Sequence, residues 1–113
     1  MIYLANAFSV SMLRYPTIGE LHPVTIERIS AFEAGRILRE NKFLSVYGHR
    51  SSAGHLVRYL HVYVPVQRDS IRLTEEDALI VARAAMNREY RSGKRKAPKW
   101  SFFRVTVNPH DES

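Results

Sequence analysis

Three short polar clusters hold the residue types in this chain that could do chemistry: Gly48-His49-Arg50-Ser51-Ser52, Gln67-Arg68, and Asn6 with Ser9. Each follows an apolar run. Gly48 permits a tight strand-to-helix turn. A helix starting near Ser51 or Ser52 offers unsatisfied N–H groups and a positive dipole end, which suits phosphate. Arg50 or Arg68 can add planar, bidentate contacts to the same group. His49 carries an imidazole that titrates near neutral pH, so it can give or take a proton. Asn6 lies within an apolar strand, where a buried amide is costly unless hydrogen-bonded. The plainer alternatives are a turn or cap role for His49, helix capping for Ser51 and Ser52, and a solvated loop for Arg68. His22, His55, His61 and His110 show no metal-ligand spacing, so no metal and no other cofactor is expected. Trp100, with Phe102 and Phe103, reads as core or interface.

The elements that must position these clusters alternate between strand and helix patterns. Residues 2–8 form a short apolar strand, and 24–29 a second one. Ser30 with Glu33 resembles a capping box, ahead of a helical stripe of Ala31, Ala34, Ile37 and Leu38. Residues 43–47 read as a third strand ending at Gly48. Ala53, Leu56, Val57 and Leu60 then give a second helix. Residues 61–67 alternate as a fourth strand, with Val62, Val64 and Val66 on one face and Pro65 marking an unpaired side. Thr74 with Asp77 predicts the start of the longest helix, with Leu79, Ala82, Met86 and Tyr90 along one side and Gly93 as its end. Residues 101–107 make a final strand. The expected architecture is α/β: a single domain with a mixed, mostly parallel sheet of about five strands flanked by helices. In such a sheet, ligands collect beyond the carboxyl ends of the strands, so the three clusters are expected on one rim.

The chain has 113 residues, 45% of them apolar, enough for one domain over 1–109 with 110–113 as a frayed tail. Absence of cysteine excludes disulfides, thiolate metal sites and a cysteine nucleophile. No apolar run has the length of a membrane span, and no signal-peptide layout opens the chain, so a soluble cytoplasmic protein is expected. The net charge of +6 is concentrated: from Arg83 to Arg104 there are eight basic residues and one acid, which leaves −1 for the rest. Such a field suits a polyanion, and non-specific nucleic acid is one candidate partner. The run from Lys94 to Lys99 precedes the last strand. In a parallel sheet that places it on the rim opposite His49.

The segment Tyr3 to Leu13, reading YLANAFSVSML, resembles the opening signature of the ring nucleases that degrade cyclic tetra-adenylate, a family that includes viral type III anti-CRISPR nucleases and cellular relatives. Gly48-His49-Arg50-Ser51-Ser52 is similar to the family's Gly-His signature with its Ser/Thr pair. Gln67-Arg68 is similar to its Gln-Arg, and Ser92-Gly93-Lys94 ahead of Phe102-Phe103 to a fourth, weaker signature. The matches follow family order across nearly the whole chain.

The resemblance implies a metal-independent homodimeric nuclease in the cytoplasm, the host's if the carrier is a virus. It implies His49 as general acid and Arg68 as phosphate stabiliser. Ser9 completes the catalytic group and positions the ligand with Asn6 and Ser11 beside it. Gly48, Arg50, Ser51, Ser52 and Gln67 would contact the ligand. The family's Leu-Glu-Glu-Gly after Gln-Arg is replaced here by Asp69-Ser70-Ile71-Arg72, with Asp69 the candidate acid to support His49. Two other classes fit the same residues: a non-catalytic cyclic-nucleotide sensor, and a small basic nucleic-acid-binding protein using Arg83–Arg104.

Overall fold

The computed structural model describes residues 1–13, 24–48, 50–85 and 99–108. Strand β1 (Ile2–Ala5) is followed by a short 3-10 turn (Val10–Met12), and β2 (Val24–Ile29) by helix α1 (Ala31–Glu40). Then come β3 (Phe43–Ser45), helix α2 (Arg50–Leu60), β4 (Ala78–Ala85) and β5 (Lys99–Val107). The five strands form one mixed sheet in the order β2-β5-β4-β1-β3. β1 pairs in parallel with β3 and β4, while β5 is antiparallel to both β4 and β2.

α1 forms where its signals lie. Ser30 Oγ accepts from the Glu33 N–H at 3.0 Å, and Asn41 Nδ2 donates to the Ile37 carbonyl at 2.8 Å at the other end. The Glu33 carboxylate pairs with Arg36, one turn on. α2 closes with His61 in the left-handed region at φ 55, its N–H donating to the Val57 carbonyl at 2.9 Å.

Both helices cover one face of the sheet. There Leu4, Ile80, Ala82 and Phe102 pack with Ala34, Ile37, Leu38, Leu56 and Leu60. The Tyr59 ring of α2 stacks on Phe102 and Trp100 of β5, with centroids 6.1 Å and 6.5 Å away. The opposite face holds a smaller cluster of Ala5, Leu79, Val81 and Val105, covered by Ile71, Leu73, Phe8 and Met12.

Three expectations are corrected. Residues 61–67 are not a strand but the first half of a strap along the β3 edge. Ser45 Oγ–H donates to the Pro65 carbonyl at 2.6 Å, and a single bridge joins Tyr47 to Val66. Val62 and Val64 are buried as expected, but Val66 points outward. The strap then crosses to the second face, where the Leu73 N–H donates to the Met12 carbonyl at 2.6 Å. The helix expected from Thr74 is instead a turn and β4. The Asp77 carboxylate accepts from both the N–H and the hydroxyl of Thr74 at 2.9 Å, closing a turn instead of capping a helix. Leu79, Ile80, Val81 and Ala82 are all buried, the signature of a central strand covered on both faces. The first strand also stops at Ala5, three residues short of the expected Phe8. The continuation of the expected third helix, and the tail 110–113, lie outside the described residues.

Candidate functional site at the carboxyl-end rim

Register places the polar clusters. Leu4 is opposite Ser45 and Ala5 opposite Val81, so β1 and β3 end level with each other, while β4 runs on to Ala85. Asn6, expected as a buried amide within the strand, instead follows directly on β1 and is exposed, because the strand ends at Ala5. Beside it, β3 leads through Tyr47 to Gly48, which is half-buried, and α2 starts at Arg50. His49 lies outside the described residues.

The strap brings the second cluster to the first. The Gln67 N–H donates to the Tyr47 carbonyl at 3.2 Å, and Arg68 Nε–H donates to the Gly48 carbonyl, also at 3.2 Å. A Cβ at position 48 would stand 3.1 Å from Arg68 Cγ. Glycine thus allows the arginine stem its close approach, since a Cβ would make the stem give way by a few tenths of an ångström. Arg68 is exposed, and a guanidinium held by its Nε still has Nη groups of the kind that clamp a phosphate.

α2 presents Arg50 and Ser51 as exposed residues at its first turn, with the helix's leading N–H groups at the rim. Ser52 differs: it is buried, and its side chain hydrogen-bonds the Tyr47 hydroxyl. Burial pushes the Tyr47 phenol up to about 12, so it stays neutral across the physiological range.

Ser9 and Ser11 are exposed on the 3-10 turn, their hydroxyls 3.0 Å apart. Their anchor is Arg72, whose Nη1–H donates to the Ser11 carbonyl. Asp69 is exposed and lines a half-polar cleft of about 480 Å³ with Tyr3, Gln67, Ser70 and Arg72. The structure therefore brings Gly48 to Arg68 and Ser9 to Ser11, and it ties the two pairs to opposite ends of one five-residue stretch of strap, Arg68 to Arg72.

Two cations at this rim escaped the sequence reading as site residues. Arg83 is exposed on β4 and lines a cleft of about 490 Å³ with Asn6, Phe8, Ile26 and Phe103. Its signal was a lone charge at the end of an otherwise apolar run. Lys99 pairs with Ala85 at the far end of β4. Because β5 is antiparallel, its amino end is on the same rim as Asn6 and Gly48, which corrects the expected placement on the opposite rim. Lys94, Arg95 and Lys96 lie outside the described residues. Among the described residues, no three His, Asp or Glu side chains gather to hold a metal ion, and no helix is long and apolar enough to cross a membrane.

Comparison with known proteins adds a family. A family model described as STIV B116-like matches residues 2–94. Among solved structures, B116 of Sulfolobus turreted icosahedral virus (STIV) is similar with a TM-score of 0.69 and 20% sequence identity. The alignment covers 93% of this chain and 97% of that one, and at this identity it speaks for the fold. No curated protein matches the chain.

Proposed function

The chain belongs to the STIV B116-like family, and from that premise we propose that it is a homodimeric ring nuclease that cleaves cyclic tetra-adenylate and so lowers type III CRISPR signalling. The observation that carries this reading is the contact between Gly48 and Arg68. It joins two separate sequence signatures beside the first turn of α2, with Asn6 just past the end of the adjacent strand.

The chemistry follows from what such a rim can hold. A ribose 2′-oxygen attacks its neighbouring phosphorus in line, forming a 2′,3′-cyclic phosphate while the bond to the 5′-oxygen breaks. Positioning and neutralising the extra charge at phosphorus are the main tasks. Arg68 and the leading N–H groups of α2 supply the neutralisation. His49 gives a proton to the departing 5′-oxygen, and the hydroxyl proton leaves to solvent. Ser9, Asn6 and Ser11 orient the ring. A two-fold dimer suits a cyclic tetranucleotide, whose opposite phosphodiesters then meet two identical sites.

The experiment is incubation with cyclic tetra-adenylate in EDTA, with products resolved by chromatography. The expected result is linear oligoadenylate ending in 2′,3′-cyclic phosphate. Tight binding without cleavage would replace the nuclease by a sensor. Neither binding nor cleavage would leave the basic nucleic-acid-binding reading, which the cationic pair Arg83 and Lys99 at the same rim favours.

A further inference from the structure

We propose that Tyr47 is a positioning residue for this rim, one buried tether on which β3, β4, α2 and the strap converge; its effect on turnover rests on the ring-nuclease reading. The side chain is 1% exposed. Its hydroxyl donates to the Ala82 carbonyl on β4 at 3.2 Å, directly before Arg83. The Ser52 side chain, on the first turn of α2, hydrogen-bonds the same hydroxyl. Through its main chain, Tyr47 accepts from the Gln67 N–H of the strap and bridges Val66. The next residue, Gly48, holds Arg68 through its carbonyl.

The end of β3, the strap, β4 and the first turn of α2 are therefore all tied at or next to one residue, the last two through its hydroxyl. An apolar side chain of the same size would fill the volume equally well. What the hydroxyl adds is a fixed distance between Ala82 within β4 and the start of α2, in a dry interior where a hydrogen bond is strong and an unmade one is costly. That distance sets how Arg68, the α2 N–H groups and the residues after Ala82 face one phosphate. Ser52 is thereby assigned to the support of the site, contributing its N–H to the rim while its hydroxyl serves Tyr47.

The test uses the full chain with Tyr47→Phe, Ser52→Ala and the double variant. Each is assayed for kcat and KM on cyclic tetra-adenylate in EDTA and for amide hydrogen exchange. Tyr47→Phe should lower kcat about tenfold or more with KM changed less than about threefold, because misplacement acts on the reacting geometry. The double variant should lose little beyond the single ones, since both act through one hydrogen bond. Exchange should quicken about tenfold at Gly48, Arg50 and Gln67 while the α1 amides hold steady. A wild-type kcat in Tyr47→Phe overturns the proposal, as do losses that multiply in the double variant. If the wild-type protein itself fails to cleave, the ring-nuclease reading falls separately. Exchange then decides the tether: quickening confined to the rim upholds it, and unchanged or uniformly faster exchange overturns it.

Discussion

Arg68 rests on Gly48, with its Nε–H on the glycine carbonyl at 3.2 Å and its Cγ 3.1 Å from where a Cβ would stand. The contact is tight but one-sided, because the arginine stem can swing while the backbone cannot. Gly48→Ala should therefore keep the fold and push Arg68 off its perch. Affinity for cyclic tetra-adenylate and the single-turnover rate should fall together, by about tenfold each, since a guanidinium contacts phosphate before and during reaction. Calorimetric titration beside single-turnover cleavage measures both, and unchanged values would detach Arg68 from the ligand.

His49→Ala separates chemistry from binding. A general acid acts on the transition state, so cleavage should drop by at least ~10²-fold while affinity changes little. Near-normal turnover would remove His49 from the mechanism.

Arg83 and Lys99 share the rim with Asn6 because β5 runs antiparallel to β4. A ligand with four negative charges should be drawn in by both. Arg83→Gln with Lys99→Ser should slow association about threefold to tenfold at low ionic strength, and the deficit should vanish near 0.5 M salt, where screening is nearly complete. Stopped-flow association across a salt series gives the slope. A salt-independent deficit would point to a direct contact instead of steering.

The turn that opens β4 should show in acid. Burial raises the pKa of the Asp77 carboxyl, but hydrogen bonds from the Thr74 N–H and hydroxyl outweigh it, as does the N-terminal ammonium, and the net direction is below the ordinary 3.8. A carboxylate with a depressed folded value contributes stability that is fully present above its unfolded value and is lost as pH falls through the folded one. The wild type should thus exceed Asp77→Asn in unfolding free energy by about 1.5 kcal/mol from neutral pH down to near 4, a gap that closes below it. Urea titrations at several pH values test this, and a gap that widens in acid would contradict it.

His61 stands in the left-handed region at the end of α2 with its side chain exposed. Glycine adopts that backbone without a Cβ penalty, whereas a β-branched residue resists it. His61→Gly should raise stability by about 0.5–1 kcal/mol, and His61→Val should lower it by more than that. Denaturant midpoints at fixed slope would show the order, and equal stabilities would mean the cap is relaxed in solution.

Much of the architecture is legible in residue order. Ser30 and Glu33 mark the start of α1, and residues 24–29 and 101–107 read as strands, the latter with Phe103, Val105 and Val107 on one face. β4 was hidden for a physical reason. A strand buried on both faces needs no alternation, so Leu79, Ile80, Val81 and Ala82 fit a helical stripe as well as a strand. The carboxylate of Asp77 hydrogen-bonds Thr74 in a turn much as it would cap a helix. The site inherited that error. Asn6 and Gly48 could be placed from strand ends alone, whereas Arg68 comes in on a strap where a strand was expected, and Arg83 and Lys99 required the sense of β4 and β5, which is a property of pairing and not of either segment.

The seat of β5 inside the sheet governs when this protein can become whole. β2, whose only strand partner among the described residues is β5, waits some seventy residues for it, and Thr25 meets Asn108 across 83 positions of chain. On the ribosome, the parallel trio β3-β1-β4 can assemble early, but β2 gains its strand partner only after β5 has emerged in turn. Such late, long-range closure slows folding. In that interval the nascent chain, with β2 still unzipped, is exposed to strand exchange with its neighbours and is a natural client for chaperones.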